Sequence, residues 1–597
     1  MCKLDIDMTG FLTYNLCVFL MLILLITNDS TSVDTVHTYE IPEIISSPGE
    51  ISTVGEIVPS FYEQSTMNLL AVFPFFPYFL GFGHSGTFYS KGRDPQFVRV
   101  CLDGRCLHVH PLGYVNLSIL PLHFFEKIAY GSAISGAELS ALNFESRVNR
   151  YDRPYSKADF MFGSYGSNIY GMDLTRALTN YLGFYLSGQY YKTDGYRNNT
   201  DAQAMSVYSN LYYDRFTPMR LDIFYIENQY GFPGSTQRPL SGRQQDRSLN
   251  VSGTGSIDRI VASLFYDYSY IDYVDVVNEK SLAVRTDQYG ALIVRNDTLM
   301  NIVCEYGAQG LLTAIDGGWY RSTGLSEAEI WASVRWRSER FFVRTGGRTS
   351  IANYHETFLC PKAEFGINVT GSIYLSAAVS RDARAPSDFE RWAPFDTLIP
   401  YFGIAGYSNL HSEYCWTKEI GLRGEGLLLN YYQLDFTDYI SAVHLLTWPN
   451  WQYANVGSRQ MSGVEGFMRY PLRLYNSDSS AMTEFMLSGS FNSLVRGEPR
   501  PDLPDYFIDA AISIKRETQR FSFGFAFRNE ISGLRRDMDD EEHAGFSVCS
   551  LAALLKFMSL SCVVRLNNLF DEIYDYVPYY PMPGRNYDVS VKWEFWD

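Results

Sequence analysis

Residues 97–147 read FVRVCLDGRCLHVHPLGYVNLSILPLHFFEKIAYGSAISGAELSALNFESR. Val98, Val100 and Leu102 alternate with Arg99 and Cys101 until the chain meets Asp103-Gly104. An Asp-Gly pair between alternating runs predicts a two-residue hairpin turn, because both central positions need φ > 0. The chain then passes through Leu117, Ile119, Leu120 and Pro121 to Phe125-Glu126-Lys127-Ile128, and is punctuated again at Gly131 and Gly136. On these residues alone the stretch is a small mixed α/β unit with tight turns.

The rest of the chain has an unusual composition for a unit of this size. Aromatic residues make up 16% of 597 positions, with 45 Tyr and 40 Phe, while charged residues reach only 19%. Soluble enzymes carry more charge and fewer tyrosines, whereas outer-membrane barrels concentrate aromatic rings at both membrane interfaces. The net charge of −17 argues against nucleic acid as a partner, since binding it requires clustered Lys and Arg.

Leu16 to Ile26 (LCVFLMLILLI) form an apolar run too short to span a bilayer. It fits the core of a secretory signal over residues 1–32, with Ser30 and Ser32 as small residues before the cut; an uncleaved anchor is the other reading. No further apolar run approaches the ~20 residues a membrane helix needs, so membrane passage must use strands.

From about residue 158 alternating segments recur. Leu182, Phe184, Leu186 and Gly188 share one face, with Tyr185, Ser187 and Gln189 on the other. Ala332, Val334 and Trp336 alternate with Ser333, Arg335 and Arg337; Val589, Val591, Trp593 and Phe595 alternate with Ser590, Lys592 and Glu594. This is the period of a strand with one face to lipid and one to a lumen. The last segment predicts that Val589, Val591, Trp593 and Phe595 face lipid and that the strand closes the barrel against one beginning near Ser156. Phe546 to Leu555 is apolar on both faces, so its lumenal side must pack on something.

Residues 97–147 resemble the second half of the plug domain of TonB-dependent outer-membrane receptors. The resemblance rests on Asp103-Gly104, Leu120-Pro121, Glu126-Lys127-Ile128, Gly131, Ser135-Gly136 and Asn143-Phe144. Upstream, Leu69, Leu70, Phe73 and Pro74 fit the end of the plug's first helix, and Lys91-Gly92-Arg93 replaces the customary Arg-Gly. Downstream, the family's order is followed by Asp194-Gly195-Tyr196-Arg197-Asn198, Arg384-Ala385-Pro386-Ser387, Asn409-Leu410 with Glu413, and Glu419-Ile420-Gly421. It continues through Tyr453-Ala454-Asn455-Val456 and Gly463-Val464-Glu465-Gly466 to Asn567-Asn568-Leu569-Phe570.

The resemblance implies an antiparallel transmembrane β-barrel of about 22 strands with a small mixed α/β plug in its lumen. About 440 residues at roughly 20 per strand and connection are consistent with that number. The implied layout is a linker at 33–50, a plug at 51–148 and a barrel at 149–597. Within the linker, Thr38-Tyr39-Glu40-Ile41-Pro42-Glu43-Ile44-Ile45 resembles the TonB box, an extended segment that adds as a strand to a TonB-type periplasmic energy-coupling protein. A plain disordered linker is the alternative.

The resemblance also implies active uptake, as a monomer in outer-membrane lipid and lipopolysaccharide, of a scarce small-molecule ligand such as an iron–siderophore or cobalamin. A receptor or adhesin without energised transport and a passive porin are the competing classes. Tyr78 and His84 are candidate ligand contacts near the plug apex.

No catalytic constellation is expected, and no cofactor: neither Gly-x-Ser-x-Gly nor HExxH occurs. His108 and His110 share a strand face, which is compatible with metal ligation, but they read as polar positions in a plug strand, and no metal site is expected. The acidic run at 537–543 reads as a solvated loop, lacking the spacing of a dedicated calcium loop. If Asp103-Gly104 form the turn, Cys101 faces Cys106 at a non-hydrogen-bonded pair, with Cα atoms about 4.5 Å apart. That separation permits a disulfide in an oxidising periplasm; two reduced cysteines packing together is the alternative.

Overall fold

The computed structural model describes residues 55–57, 73–79, 86–107, 112–117, 120–130, 141–148 and 154–596. The last run has gaps at 318–323, 371–372, 398–402, 425, 447–450, 477–478, 498–501, 519 and 538. The leader, the segment Thr38 to Ile45, His84, His108, His110, Gly131 and Gly136 lie outside the described residues, as does the helix expected before Phe73.

Twenty-two antiparallel strands close into a barrel. The first, Tyr155–Gly163, pairs with the last, Asn586–Trp596, in the register Phe162↔Val589 and Ala158↔Trp593. Tyr587, Trp593 and Phe595 are exposed on the outer surface, while Asp588 is buried in the lumen beside Arg565. The expected parity therefore holds, because a one-residue slip would exchange the faces. The same alternation marks Leu325–Arg337, where Ile330 and Val334 point outward and Glu329, Trp331 and Ser333 are buried inside.

Connections differ at the two ends. One end has two-residue turns such as 258–259, 300–301 and 558–559, whose first residues, Asp258, Met300 and Met558, take positive φ. Such turns match the twist of paired strands. The other end carries the long connections 385–412, 438–458 and 568–585. Outer-membrane barrels keep short turns in the periplasm and long loops outside, which orients the molecule.

Several motif residues organise those outer loops. Ser387 caps the helix Asp388–Trp392, its hydroxyl accepting from the Glu390 amide while the Glu390 side chain accepts from the Ser387 amide. The Asn455 amide group donates to the carbonyls of His411 and Asp438, tying two loops together. Asp537 accepts from the amides of Asp539 and Glu541 and from the Tyr579 hydroxyl, so the acidic run is a turn built around one carboxylate.

The lumen holds a mixed five-stranded sheet ordered Gly55–Ile57, Phe125–Tyr130, Ala141–Ser146, Arg99–Leu102, Arg105–Cys106. Arg99–Leu102 runs parallel to Ala141–Ser146; the other neighbours are antiparallel. Leu120-Pro121 lead into a 3-10 turn, Leu122–Phe124. Glu126 occupies an irregularity in the pairing of Phe125–Tyr130, leaving Ile128 fully buried. Plug and wall share one core: Phe73, Phe76, Phe124 and Ile128 pack with Tyr208, Phe224, Phe467 and Phe507. The apolar lumenal side of Phe546–Phe557 finds its partner here, since Phe546 and Val548 join that core.

Candidate functional site

Charge at the plug–wall boundary is concentrated where Lys91-Gly92-Arg93 meets the lumen. The Lys91 ammonium is paired with Glu419 and lies 3.2 Å from Glu465, with all three side chains 1% exposed. Burial alone lowers the pKa of an ammonium, but the two carboxylates outweigh it and hold Lys91 above the ordinary lysine range. Glu465 also accepts a long hydrogen bond, 3.4 Å, from Tyr130, whose hydroxyl is pushed up to about 12 by burial and then by that carboxylate. Arg93 donates to Asp382 at 2.9 Å.

Backbone shape fixes this arrangement. Gly92 has φ +70°, and a Cβ there would lie 2.6 Å from Met461 Cε. A Cβ on Gly463, two residues before Glu465 on the same face, would lie 2.4 Å from the Tyr432 hydroxyl. The glycines of two motifs thus make room for Met461 and Tyr432 next to the charged residues.

The plug's edge hairpin carries a second set of ties. Asp103 (φ 49°) and Gly104 (φ 82°) form the expected turn, with Leu102↔Arg105 and Cys101↔Cys106 opposed. Asp103 accepts from Ser146 and from Arg220 of the wall at 2.6 Å. Arg105 pairs with Asp267 and stands 4.4 Å above the Phe265 ring. Arg99 donates to Glu329 at 2.9 Å, a carboxylate it shares with Arg348. The strand Ala141–Ser146 is central in the plug sheet, so its Glu145 pairs with Lys127 inside the plug at 3.2 Å. The edge hairpin carries its charges to the wall, and just after this strand the Arg147 carbonyl accepts from Tyr208 of the wall at 2.8 Å.

Toward the outer loops the plug presents tyrosines. Tyr78 lies in the strand Phe75–Phe79, edge-on to Tyr89 at 5.7 Å, near Tyr114, Tyr580 and Asp502. Its hydroxyl is held well above the ordinary range, first by burial and then by these neighbours, so it is a neutral donor. Arg197, from the early-strand motif, sits over Tyr580 at 5.8 Å. Leu112 packs with Phe389 and Ala393 of the 385–412 loop, and a Cβ on Gly113 would meet Ser387 at 2.9 Å. Arg384 holds that loop, bonding both oxygens of Glu390 at 2.8 and 3.0 Å and Glu413 at 3.0 Å.

Sequence reasoning named Lys91-Gly92-Arg93, Glu419 and Glu465 as separate landmarks without joining them. The signal for joining them was their charge: a lysine and two glutamates placed beside glycines in an enclosed lumen need one another. Among the described residues no group of His, Cys, Asp and Glu is arranged to hold a metal ion.

The sequence model of the family described as TonB dependent receptor-like, beta-barrel matches residues 129–531. The chain belongs to this family. The receptor's fold is shared with solved structures at low identity. The siderophore receptor PirA from Acinetobacter baumannii is 14% identical with a TM-score of 0.69, covering 92% of this chain and 98% of that one. A mutant ferric enterobactin receptor PfeA from Pseudomonas aeruginosa is 13% identical with a TM-score of 0.70, covering 93% and 99%. The copper transporter OprC is 15% identical with a TM-score of 0.72, covering 91% and 100%. No curated protein sequence matches the receptor. Family and barrel together make it an outer-membrane protein of the Gram-negative type.

Proposed function

We infer that the receptor imports a scarce ligand of the iron–siderophore or cobalamin class by energised displacement of its plug. The observation that carries this reading is Lys91 held between Glu419 and Glu465 inside the lumen. Breaking a buried pair of this kind costs about 3–5 kcal/mol, and Arg93, Arg99 and Arg105 add further ties. Thermal release of the plug is then rare, and passage needs work from outside. A TonB-type periplasmic protein supplies that work through Thr38 to Ile45, in a layout of signal (1–32), linker (33–50), plug (51–148) and barrel (149–597). The receptor acts as a monomer set in lipid and lipopolysaccharide.

Ligand is bound where plug and outer loops meet, at Tyr78, Tyr89 and Tyr114, with His84 as a further candidate from the sequence. Tyrosines give a ligand flat apolar faces with hydroxyl donors at their edges. Structural likeness to siderophore receptors and to a copper transporter supports a metal chelate as the cargo.

The test is uptake of radioiron as ferric catecholate and ferric hydroxamate, and of labelled cobalamin, in energised cells. Deleting residues 38–45 should abolish uptake while surface binding persists. Unchanged uptake overturns the reading.

A further inference from the structure

Cys101 and Cys106 stand opposite one another across the plug's edge hairpin. The Leu107 amide donates to the Val100 carbonyl at 2.8 Å below them, and the Leu102–Arg105 pair closes the turn above. They therefore occupy a non-hydrogen-bonded site, where Cα atoms approach most closely. Their sulfurs are 2.7 Å apart, and the residues are 2% and 5% exposed. The two thiols are unbridged and in contact, and their directly opposed positions keep the Cα atoms within the range a bridge spans.

We propose that Cys101 and Cys106 are joined by a disulfide in the mature receptor, and that this staple makes the hairpin a fixed anchor of the plug. The chemistry is exchange with an oxidising protein disulfide of the periplasm. One thiol loses its proton and its thiolate attacks that disulfide, giving a mixed disulfide and one free thiol on the oxidant. The second thiolate then displaces the oxidant's remaining sulfur. The pair gives up two electrons and two protons, and the oxidant leaves as a dithiol. Because both sulfurs are buried, the exchange takes place before the wall encloses the plug.

The anchoring role follows from what the hairpin holds, and it rests on the displacement reading above. Asp103 is bound by Arg220, Arg105 by Asp267 and Arg99 by Glu329. Arg99–Leu102 also pairs with Ala141–Ser146, the last plug strand before the wall. Of the hairpin's two strands, a pull from the N-terminus reaches Arg99–Leu102 before Arg105–Cys106 and would peel the first from the second. A bond from Cys101 to Cys106 carries the load across the turn, so the hairpin stays docked while the preceding chain is drawn out.

Neither measurement of this proposal needs a ligand, so its failure is separable from failure of the uptake reading. Receptor unfolded without reductant is treated with a maleimide and mapped by peptide mass spectrometry. Cys101 and Cys106 should stay unlabelled until a phosphine is added; labelling of both before reduction overturns the disulfide. Amide exchange is then followed in the oxidised receptor, in the phosphine-reduced receptor and in Cys101→Ser/Cys106→Ser. Loss of the staple should speed exchange at residues 100–107 by about ten-fold, a local opening effect, with Tyr155–Gly163 unchanged. Equal rates at residues 100–107 in oxidised and reduced protein overturn the anchoring role.

Discussion

Lys91 of the plug and Glu419 of the wall, 328 residues apart in the chain, form an ion pair with both side chains 1% exposed. Glu465 completes the site from a neighbouring region of the wall, 3.2 Å from the same ammonium. One plug cation thus bridges two wall carboxylates, and Arg423 supplies a second positive charge to Glu419 at 3.1 Å. Replacing Lys91 with alanine leaves Glu465 buried without this cation and leaves Glu419 paired with Arg423, 3.1 Å away. The expected cost is about 3–5 kcal/mol, read as earlier release of the plug to protease in a urea series. Lys91→Arg should keep most of the stability, since it keeps the charge.

His123 gives the plug an acid-sensitive point. Both ring nitrogens are buried without a hydrogen-bond partner among the described residues. Burial, reinforced by Lys157, Arg147 and Lys592 and opposed by Asp173, lowers its pKa from 6.5 to about 3. An unfolded histidine takes up a proton near pH 6.5 that the folded one refuses. The site's contribution is therefore undiminished above about pH 6.5 and is lost progressively as pH falls toward about 3. His123→Gln should flatten the pH dependence of plug stability across that window, as measured by denaturant titration; identical slopes would remove His123 from the explanation.

Lipid and lumen faces predict opposite tolerances in the closing strand. Val591 faces outward near the middle of Asn586–Trp596, between the inward-facing Ser590 and Lys592. Val591→Arg should cost about 2–4 kcal/mol in folding into lipid vesicles, the penalty of arginine near the bilayer midplane. Ser590→Asn, on the lumenal face, should change little.

Arg384 ties the 385–412 loop to the strand beginning at Glu413 through a fork on Glu390 and a bond to Glu413. Lysine cannot reproduce that fork. Arg384→Lys should lose about 1.5–3 kcal/mol for each charged hydrogen bond removed. The readout is faster proteolytic nicking within the loop, with barrel stability unaltered.

How much of this was legible in the sequence depended on distance along the chain. The lipid face of Val589, Val591, Trp593 and Phe595 was readable because a period of two is a local property. The turn at Asp103-Gly104 and the facing of Cys101 and Cys106 were readable for the same reason. The doubly apolar Phe546 to Leu555 announced a missing partner without saying which residues supplied it. Lys91, Glu419 and Glu465 were visible only as three motifs, because closing a barrel around a plug decides which distant charges meet. Which wall groups meet the plug was beyond local reading for the same reason: the Arg147 carbonyl accepts from Tyr208 at 2.8 Å, and the edge hairpin adds ion pairs through Arg99, Asp103 and Arg105.

Conductance in planar lipid bilayers tests the central claim most directly, that a plug fastened in the lumen closes a wide barrel. The purified receptor should give no steady conductance at neutral pH, and a variant lacking residues 51–148 should give a large, stable one. A steady open conductance from the intact receptor, equal to that of the plug-deleted variant, would contradict it.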